Sequence, residues 1–152
     1  MSVDDLKEYG LDEMNDEEVR NFLSSQGMGV LGLSAEGEDV PYLLPMSFGY
    51  DGAERLYFTY FVGSSSRKKD LTDRAERARF LVYRAESVFN WESILLTGSL
   101  SKLPEDEWEE HEDAMENAWH LDIFEKADTA GKIELYEFEI EEQNGIKHTG
   151  LP

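Results

Sequence analysis

Six short segments of strand-forming residues, separated by turns of hairpin length and by a few helices, limit the possible folds of this chain more than any other sequence feature. Aromatic and β-branched residues dominate them, and several alternate apolar with polar positions, as strands with one buried face do. The predicted strands span residues 28–34, 40–48, 56–62, 79–84, 93–103 and 133–141. Hairpin turns join neighbouring strands antiparallel, so we predict a mainly β protein, a six-stranded antiparallel barrel with flanking helices.

Three helices are expected around the barrel. Asn15 and Glu18 have the spacing of a capping box, and an apolar stripe follows them until Gln26-Gly27 ends the helix. A short helix follows the third strand, with its apolar residues facing inward. The last predicted helix begins at Pro104 and runs to about Lys126. Its predicted inner stripe is Trp108, His111, Met115, Ala118 and Trp119.

The chain has the size and composition of one domain. With 152 residues, 40% of them hydrophobic, it can bury a sizeable core. We predict a lead-in over residues 1–14 and a single domain over residues 15–152. No apolar run approaches the roughly 20 residues of a membrane span, and the acidic start does not resemble a secretion signal. Without cysteine there is no disulfide framework, so a cytoplasmic protein is the simplest interpretation.

The net charge of −20 comes from 34 acidic residues that are spread along the chain. Repulsion of this size opposes folding at low salt, whereas at ~1 M salt the screening length falls to about 3 Å. We therefore expect a protein adapted to high salt, that is, a halophilic one. The same charge would repel a phosphate backbone, which argues against a nucleic-acid partner.

Positive charge is concentrated in one stretch. Seven of the 14 Lys and Arg residues lie between Arg67 and Arg84, and the densest run is Ser64-Ser65-Ser66-Arg67-Lys68-Lys69. Hydroxyl groups, cations and the free N–H groups of a helix start are together suited to hold a phosphate. The alternative is a solvated basic helix start with no ligand.

Several stretches, in this order and spacing, resemble the pyridoxamine 5'-phosphate oxidase-like superfamily of flavin-binding split β-barrels. The resemblance covers residues 28–103, with a weaker similarity at 141–147. The stretches that carry it are Val40-Pro41-Tyr42-Leu43-Leu44-Pro45-Met46-Ser47-Phe48, Leu56-Tyr57-Phe58-Thr59-Tyr60, Ser66-Arg67-Lys68, Ala78-Arg79-Phe80-Leu81-Val82 and Trp91-Glu92-Ser93-Ile94-Leu95-Leu96-Thr97-Gly98. The fold that it implies is an FMN-binding split barrel.

The resemblance also implies roles for individual residues. Arg67 and Lys68 would bind the phosphate of FMN, with a further hydrogen bond from Ser66. The residues expected beside the ribityl chain are Thr59 and Tyr60. Those expected near the flavin ring are Met46, Ser47, Phe48 and Ser93. Ser93 is shorter than the Gln that the oxidase proper carries there, and the chain lacks the longer C-terminal part with its substrate contacts.

By the same resemblance, the protein is a homodimer with flavin at the interface and an FMN-dependent oxidoreductase of an unidentified small substrate. The flavin supplies the redox chemistry, so we name no catalytic acid or base. No metal site is predicted, because His111 and His120 lie nine residues apart, which is not a same-face spacing on a helix. Three alternatives stay open: a flavin carrier or sensor without turnover, a deazaflavin-dependent reductase on the same barrel, and an acidic structural domain without a cofactor.

Overall fold

The computed structural model of the protein describes residues 10–61, 67–115 and 133–149. In these ranges the strands are β1 (Leu11–Glu13), β2 (Met28–Leu33), β3 (Tyr42–Tyr50), β4 (Arg55–Phe61), β5 (Ala78–Ser87), β6 (Asn90–Leu103) and β7 (Ile133–Thr149). The helices are α1 (Asp16–Ser25), α2 (Arg67–Arg74) and two 3₁₀ helices (Glu105–His111 and Asp113–Met115), which we call the 3₁₀ segment. None of these helices has the length and apolar character that crossing a membrane requires.

The strands form one antiparallel sheet in the order β1-β7-β4-β3-β2-β5-β6. Pairing of β6 with β7 closes the six strands β2 to β7 into a barrel, which confirms the predicted fold class. β1 is an addition to that prediction. It lies in the predicted lead-in and pairs with the end of β7, with Leu11 opposite His148.

β7 extends far beyond its predicted end at residue 141. Its first part, residues 133–139, pairs with β4 on one side, while residues 135–149 pair with β6 on the other. The polar residues after Ile140 interrupt the apolar alternation. Backbone pairing to β6 and then to β1 nevertheless satisfies their hydrogen bonds, and this tertiary effect outweighs the local pattern.

Aromatic rings from four strands fill the barrel. The ring centroid of Phe80 lies 5.3 Å from that of Phe48 and 4.8 Å from that of Phe58, which in turn lies 6.0 Å from that of Phe138. All four side chains are fully buried. Edge-to-face and tilted contacts of this kind favour one packing arrangement over others and add to the free energy of burial. The barrel interior is therefore a packed core, and a ligand has to bind at its ends or on its outside.

α1 begins as predicted. The Asn15 side chain accepts a hydrogen bond from the backbone N–H of Glu18, and the Glu18 carboxylate accepts one from the backbone N–H of Asn15. The predicted apolar stripe is buried against the barrel. Lys147 of β7 forms an ion pair with Glu18, which fixes the start of the helix beside the last strand.

The predicted α-helix from Pro104 is not an α-helix over its described part. The 3₁₀ segment replaces it up to Met115, and the remainder of the prediction lies outside the described residues. Carboxylates at most positions repel one another across a helical turn, which weakens a regular α-helix. The predicted inward side chain of Trp108 is confirmed: it is buried, and its indole N–H donates to the Leu103 carbonyl at 3.1 Å.

Candidate functional site

α2 closes one end of the barrel and is fixed there by a buried hydrogen-bond chain. Leu71 of this helix enters the core. The Thr72 hydroxyl donates to the Lys68 carbonyl at 2.7 Å, which leaves the Tyr60 hydroxyl to donate to Thr72 at 2.7 Å. Burial raises the pKa of Tyr60 to about 12, so its phenol stays neutral. The start of α2 is thus held directly beside the end of β4.

Lys68 stands at this junction without a carboxylate partner in the described part of the chain. Its ammonium lies 4.7 Å from the centroid of the Tyr60 ring, a cation–π arrangement, and the side chain is half-buried. Desolvation lowers the pKa of Lys68. An anion bound beside Lys68 would offset the cost of desolvating the ammonium. Carboxylates greatly outnumber cations in this chain, so a lysine that is not paired with one of them in the described ranges is a candidate for binding such an anion.

Arg67 lies on the solvent side of the same junction. Its guanidinium forms an ion pair with Glu38 at 2.9 Å and lies 5.9 Å from the centroid of the Tyr42 ring. Glu38 also pairs with Arg74 at 3.1 Å. Arg67, which the sequence analysis expects to bind a phosphate, is therefore already paired with the carboxylate of Glu38. This contact joins residues 29 positions apart, and no sequence pattern indicated it.

A second polar cluster, which we call the α2–β7 cluster, ties the helix to the last strand. Lys69 contacts Asp73 at 2.7 Å and Glu134 at 3.3 Å, and Lys102 contacts Glu134 at 3.0 Å. The hydroxyl of the buried Tyr136 donates to Asp73 at 2.8 Å. Desolvation opposes ionisation of both carboxylates, yet hydrogen bonds from Lys69 and its neighbours hold the pKa of Asp73 and that of Glu134 below their ordinary values.

These shifts predict an acid-sensitive attachment of α2. A carboxylate with a lowered folded-state pKa stabilises the fold above its ordinary pKa, and this stability is lost as the pH falls through the folded-state pKa. The ordinary pKa values are 3.8 for Asp73 and 4.5 for Glu134. We expect Asp73→Asn to lower the free energy of unfolding by about 0.5–1 kcal/mol at neutral pH, since the side chain is largely exposed.

Urea denaturation at several pH values checks this prediction. The difference between wild type and Asp73→Asn should shrink below about pH 4, because the wild-type carboxylate then loses its charge. Asp106→Asn removes the same charge from an exposed side chain of the 3₁₀ segment, and it should show no such trend. A difference that stays constant down to pH 2 would contradict the role of the cluster.

The predicted ring contacts divide between the two faces of the barrel wall. Met46 and Phe48 are in the core, whereas Ser47, between them, faces outward. Ser93 is also outward, because its neighbour Ile94 is a core residue. Only the two serines therefore present side chains to a ligand outside the barrel, and Met46 and Phe48 support the wall from within.

Thr59 and Tyr60 are separated in the same way. Tyr60 is in the core, and Thr59 points to the outer side of β4. The Thr59 hydroxyl oxygen is buried and has no hydrogen-bond partner in the described ranges. β3 and β4 pair as far as Phe48 opposite Phe58, so Ser47 and Thr59 are the next residues of the two strands. Ser66 lies outside the described residues.

A cleft of about 640 Å³ lies on the outer face of β2, β3, β5 and β6. The sequence analysis did not indicate it. Cross-strand pairing orders this face in rows: Ser47 lies beside Met28 at one end, Val30 beside Leu81 in the middle, and Gly32 beside Arg79 further along. The cleft occupies the middle and far rows, next to the two outward serines. In the described part of the chain, no group of three or more acidic or histidine side chains could hold a metal ion.

Comparison with known protein families identifies the architecture. The family model for pyridoxamine 5'-phosphate oxidase matches residues 15–147. The chain belongs to the pyridoxamine 5'-phosphate oxidase family. This match confirms the resemblance that the sequence motifs indicate. It extends the matched region from residues 28–103 to residues 15–147, which include α1 and most of β7. A search of curated proteins found no match.

Solved structures with the fold of the oxidase family include proteins with different ligands. A FAD-binding protein from Mesorhizobium loti has a TM-score of 0.70 and 19% identity, covering 90% of this chain and 96% of that one. A FAD- and haem-binding protein from Mycobacterium smegmatis has a TM-score of 0.68 and 17% identity, covering 94% and 75%. HutZ, a haem storage protein from Vibrio cholerae, has a TM-score of 0.69 and 13% identity, covering 89% and 96%. These similarities show the shared fold.

Proposed function

We propose that this protein binds a flavin nucleotide, FMN by preference, and uses it as an oxidoreductase of a small substrate. The observation that carries the proposal is the pair of unsatisfied groups at the end of β4. In the described part of the chain, Lys68 has no carboxylate partner and the buried Thr59 hydroxyl has no hydrogen bond. Lys68 packs on Tyr60, the neighbour of Thr59 in β4, and a cation and a hydroxyl without such partners fit an anionic ligand with hydrogen-bonding oxygens.

The residues present fit FMN in a specific division of roles. Lys68 and Thr59 would bind the phosphate and the adjoining polyol chain, and Ser66 and Arg67 would add further donors. Ser47 and Ser93 would meet the ring edge on the outer face, with Met46, Phe48 and Tyr60 as the rigid core behind them. Bound flavin supplies the hydride or electron transfer, while the chain anchors the phosphate and orients the ring.

We further propose that the protein is a homodimer with the flavin between the copies. Large apolar side chains stay exposed on the outer face of β5 and at the β5–β6 turn, among them Tyr83 at 57%, Val88 at 72% and Phe89 at 48%. Exposed apolar groups at this density are typical of an association surface. Light scattering at high salt should give twice the chain mass.

Reduction of the bound flavin tests the enzymatic part of the proposal. Protein loaded with FMN should be reduced by NADH or NADPH and reoxidised by an added acceptor through repeated cycles. A flavin that stays oxidised with every donor would instead support a carrier or sensor. A protein that binds a deazaflavin coenzyme in place of FMN would identify the reductase alternative, because the two chromophores absorb at different wavelengths.

The ion pair between Glu38 and Arg67 predicts an unusual gain of affinity. Glu38→Gln should strengthen FMN binding by about two- to fivefold at low salt, since the variant removes a carboxylate that competes with the phosphate. Fluorescence titration measures the affinity. The gain should vanish in ~1 M salt, which screens the exposed pair.

The matched control for this prediction is Glu141→Gln. It removes the same charge and breaks a similar ion pair, that of Arg77 with Glu141 at 2.8 Å, away from Arg67. A gain of the same size in both variants would mean that only the net charge matters. Weaker binding by Glu38→Gln would mean that Glu38 orients Arg67 and does not compete for it.

A further inference from the structure

We propose that the outer cleft is a substrate pocket and that its ligand is a small apolar monocarboxylate. Its volume of about 640 Å³ is in the range of small-molecule sites. The walls are mainly apolar, with two arginines at one end. The full set of apolar lining side chains is Val30, Pro41, Leu43, Ala78, Leu81 and Leu95.

Arg79 determines the charge of this ligand. Arg77 is already paired with Glu141 at 2.8 Å, whereas Arg79 has no ion pair or hydrogen bond in the described ranges. Arg79 faces outward between Gly32 and Thr97, its cross-strand neighbours. The cleft therefore offers one uncompensated positive charge, in the fork geometry that suits a carboxylate.

One charge favours a monoanion over a phosphate ester. A carboxylate neutralises Arg79 fully, whereas a phosphate dianion would leave one negative charge uncompensated between apolar walls. The apolar walls add affinity for a hydrocarbon or aromatic body. Charge complementarity and lining together specify an apolar carboxylate, for which benzoate is a simple aromatic probe.

Gly32 keeps the floor of the cleft open. A Cβ atom added there would lie 3.3 Å from Leu43 Cδ2 and 3.7 Å from the Arg79 carbonyl oxygen, so a small side chain is tolerated, while a branched one would project into the cleft. The position is on a strand, where valine is favourable. Gly32→Val is therefore a variant that narrows the cleft beside Arg79 and keeps the fold.

The location of the cleft connects it with the proposed function, on which the substrate role rests. The cleft lies next to the row of Ser47 and Ser93, where the flavin ring would bind. A carboxylate bound by Arg79 would place its apolar body between the arginine and that row. Ligand binding itself can be measured without flavin, so the two proposals fail separately.

Calorimetric titration of the full chain with benzoate, benzamide and phenyl phosphate tests the inference. Benzoate should bind at least about tenfold more tightly than the other two, since a charge-assisted contact is worth roughly that factor or more. Arg79→Gln should reduce benzoate binding to the level of benzamide. Arg84→Gln, which removes the same charge five residues along β5 from an arginine already paired with Glu92, should leave it unchanged. Gly32→Val should weaken binding of all three, because it narrows the cleft beside Arg79.

Equal binding of benzoate and benzamide, or no binding of either, would overturn the proposal. So would unchanged affinity in Arg79→Gln. Light scattering on the same variants tests whether a second copy of the chain lies in the cleft. If Arg79→Gln or Gly32→Val dissociates an oligomer, the cleft is an interface and the proposal is wrong. Lys68→Ala should weaken flavin and leave benzoate unaffected, which separates this inference from the cofactor site.

Discussion

Gly98→Ala should destabilise the barrel by about 3 kcal/mol, near the upper end of the range for overpacked sites. Gly98 lies at the irregularity where β6 changes register against β7. A Cβ atom there would overlap the backbone carbonyl oxygen of Glu139 and lie 2.9 Å from its carbon. Because the obstacle is backbone and not a flexible side chain, the two strands that close the barrel would have to separate.

Gly32→Ala is the matched control, since the same substitution on the same sheet meets the end of a flexible side chain, Leu43 Cδ2 at 3.3 Å, which can shift by a few tenths of an ångström. Urea denaturation monitored by tryptophan fluorescence should give nearly wild-type stability for this variant. A Gly98→Ala protein as stable as Gly32→Ala would contradict the close approach of β6 and β7. The barrel would then close differently from the arrangement described above.

Lys68→Ala should weaken FMN binding by about 1.5–3 kcal/mol, the range of a hydrogen bond to a charged group. Within residues 10–61, 67–115 and 133–149 the half-buried ammonium has no carboxylate partner, so its charge is available to a phosphate. Arg67→Ala should cost less, because Arg67 is 56% exposed and already paired with Glu38. Fluorescence titration at high salt measures both affinities with the fold intact.

Arg74→Ala is the control for these two variants. Arg74 lies on the same helix and also pairs with Glu38, but it follows Lys68 by more than a turn and bonds Asp70. Its loss should leave FMN affinity close to wild type. Equal losses in all three variants would mean that the helix carries a diffuse electrostatic attraction and not a phosphate site.

Most of the barrel could be predicted because its strands alternate strongly. Tyr136 and Phe138, for example, occupy inward positions of a segment in which they alternate with glutamates. The capping box of Asn15 and Glu18 was equally local and equally reliable. The 3₁₀ segment was not predicted, since its apolar spacing fits an α-helix; the repulsion between its carboxylates and the packing of Trp108 against Leu103 and Leu135 outweigh that spacing.

The predictions for the site were limited by a different factor. Family motifs name contiguous residues, but a strand sends neighbours to opposite faces, so Met46 and Phe48 could not both share a ligand-facing surface with Ser47. That separation follows from the period of two and could have been inferred. The contact of Glu38 with Arg67 and the cleft beside Arg79 depend on tertiary structure, which no local pattern contains.

The central claim is that Lys68 and Thr59 hold the phosphate end of a flavin outside the barrel. Equilibrium titration of the purified protein with FMN, FAD and haem, followed by absorbance and fluorescence, tests it most directly. The account predicts one flavin bound per chain, with FMN bound at least as tightly as FAD and with the affinity lost in the Lys68→Ala, Thr59→Val double variant. A protein that binds haem alone, or no chromophore, or flavin with unchanged affinity in that variant, would contradict it.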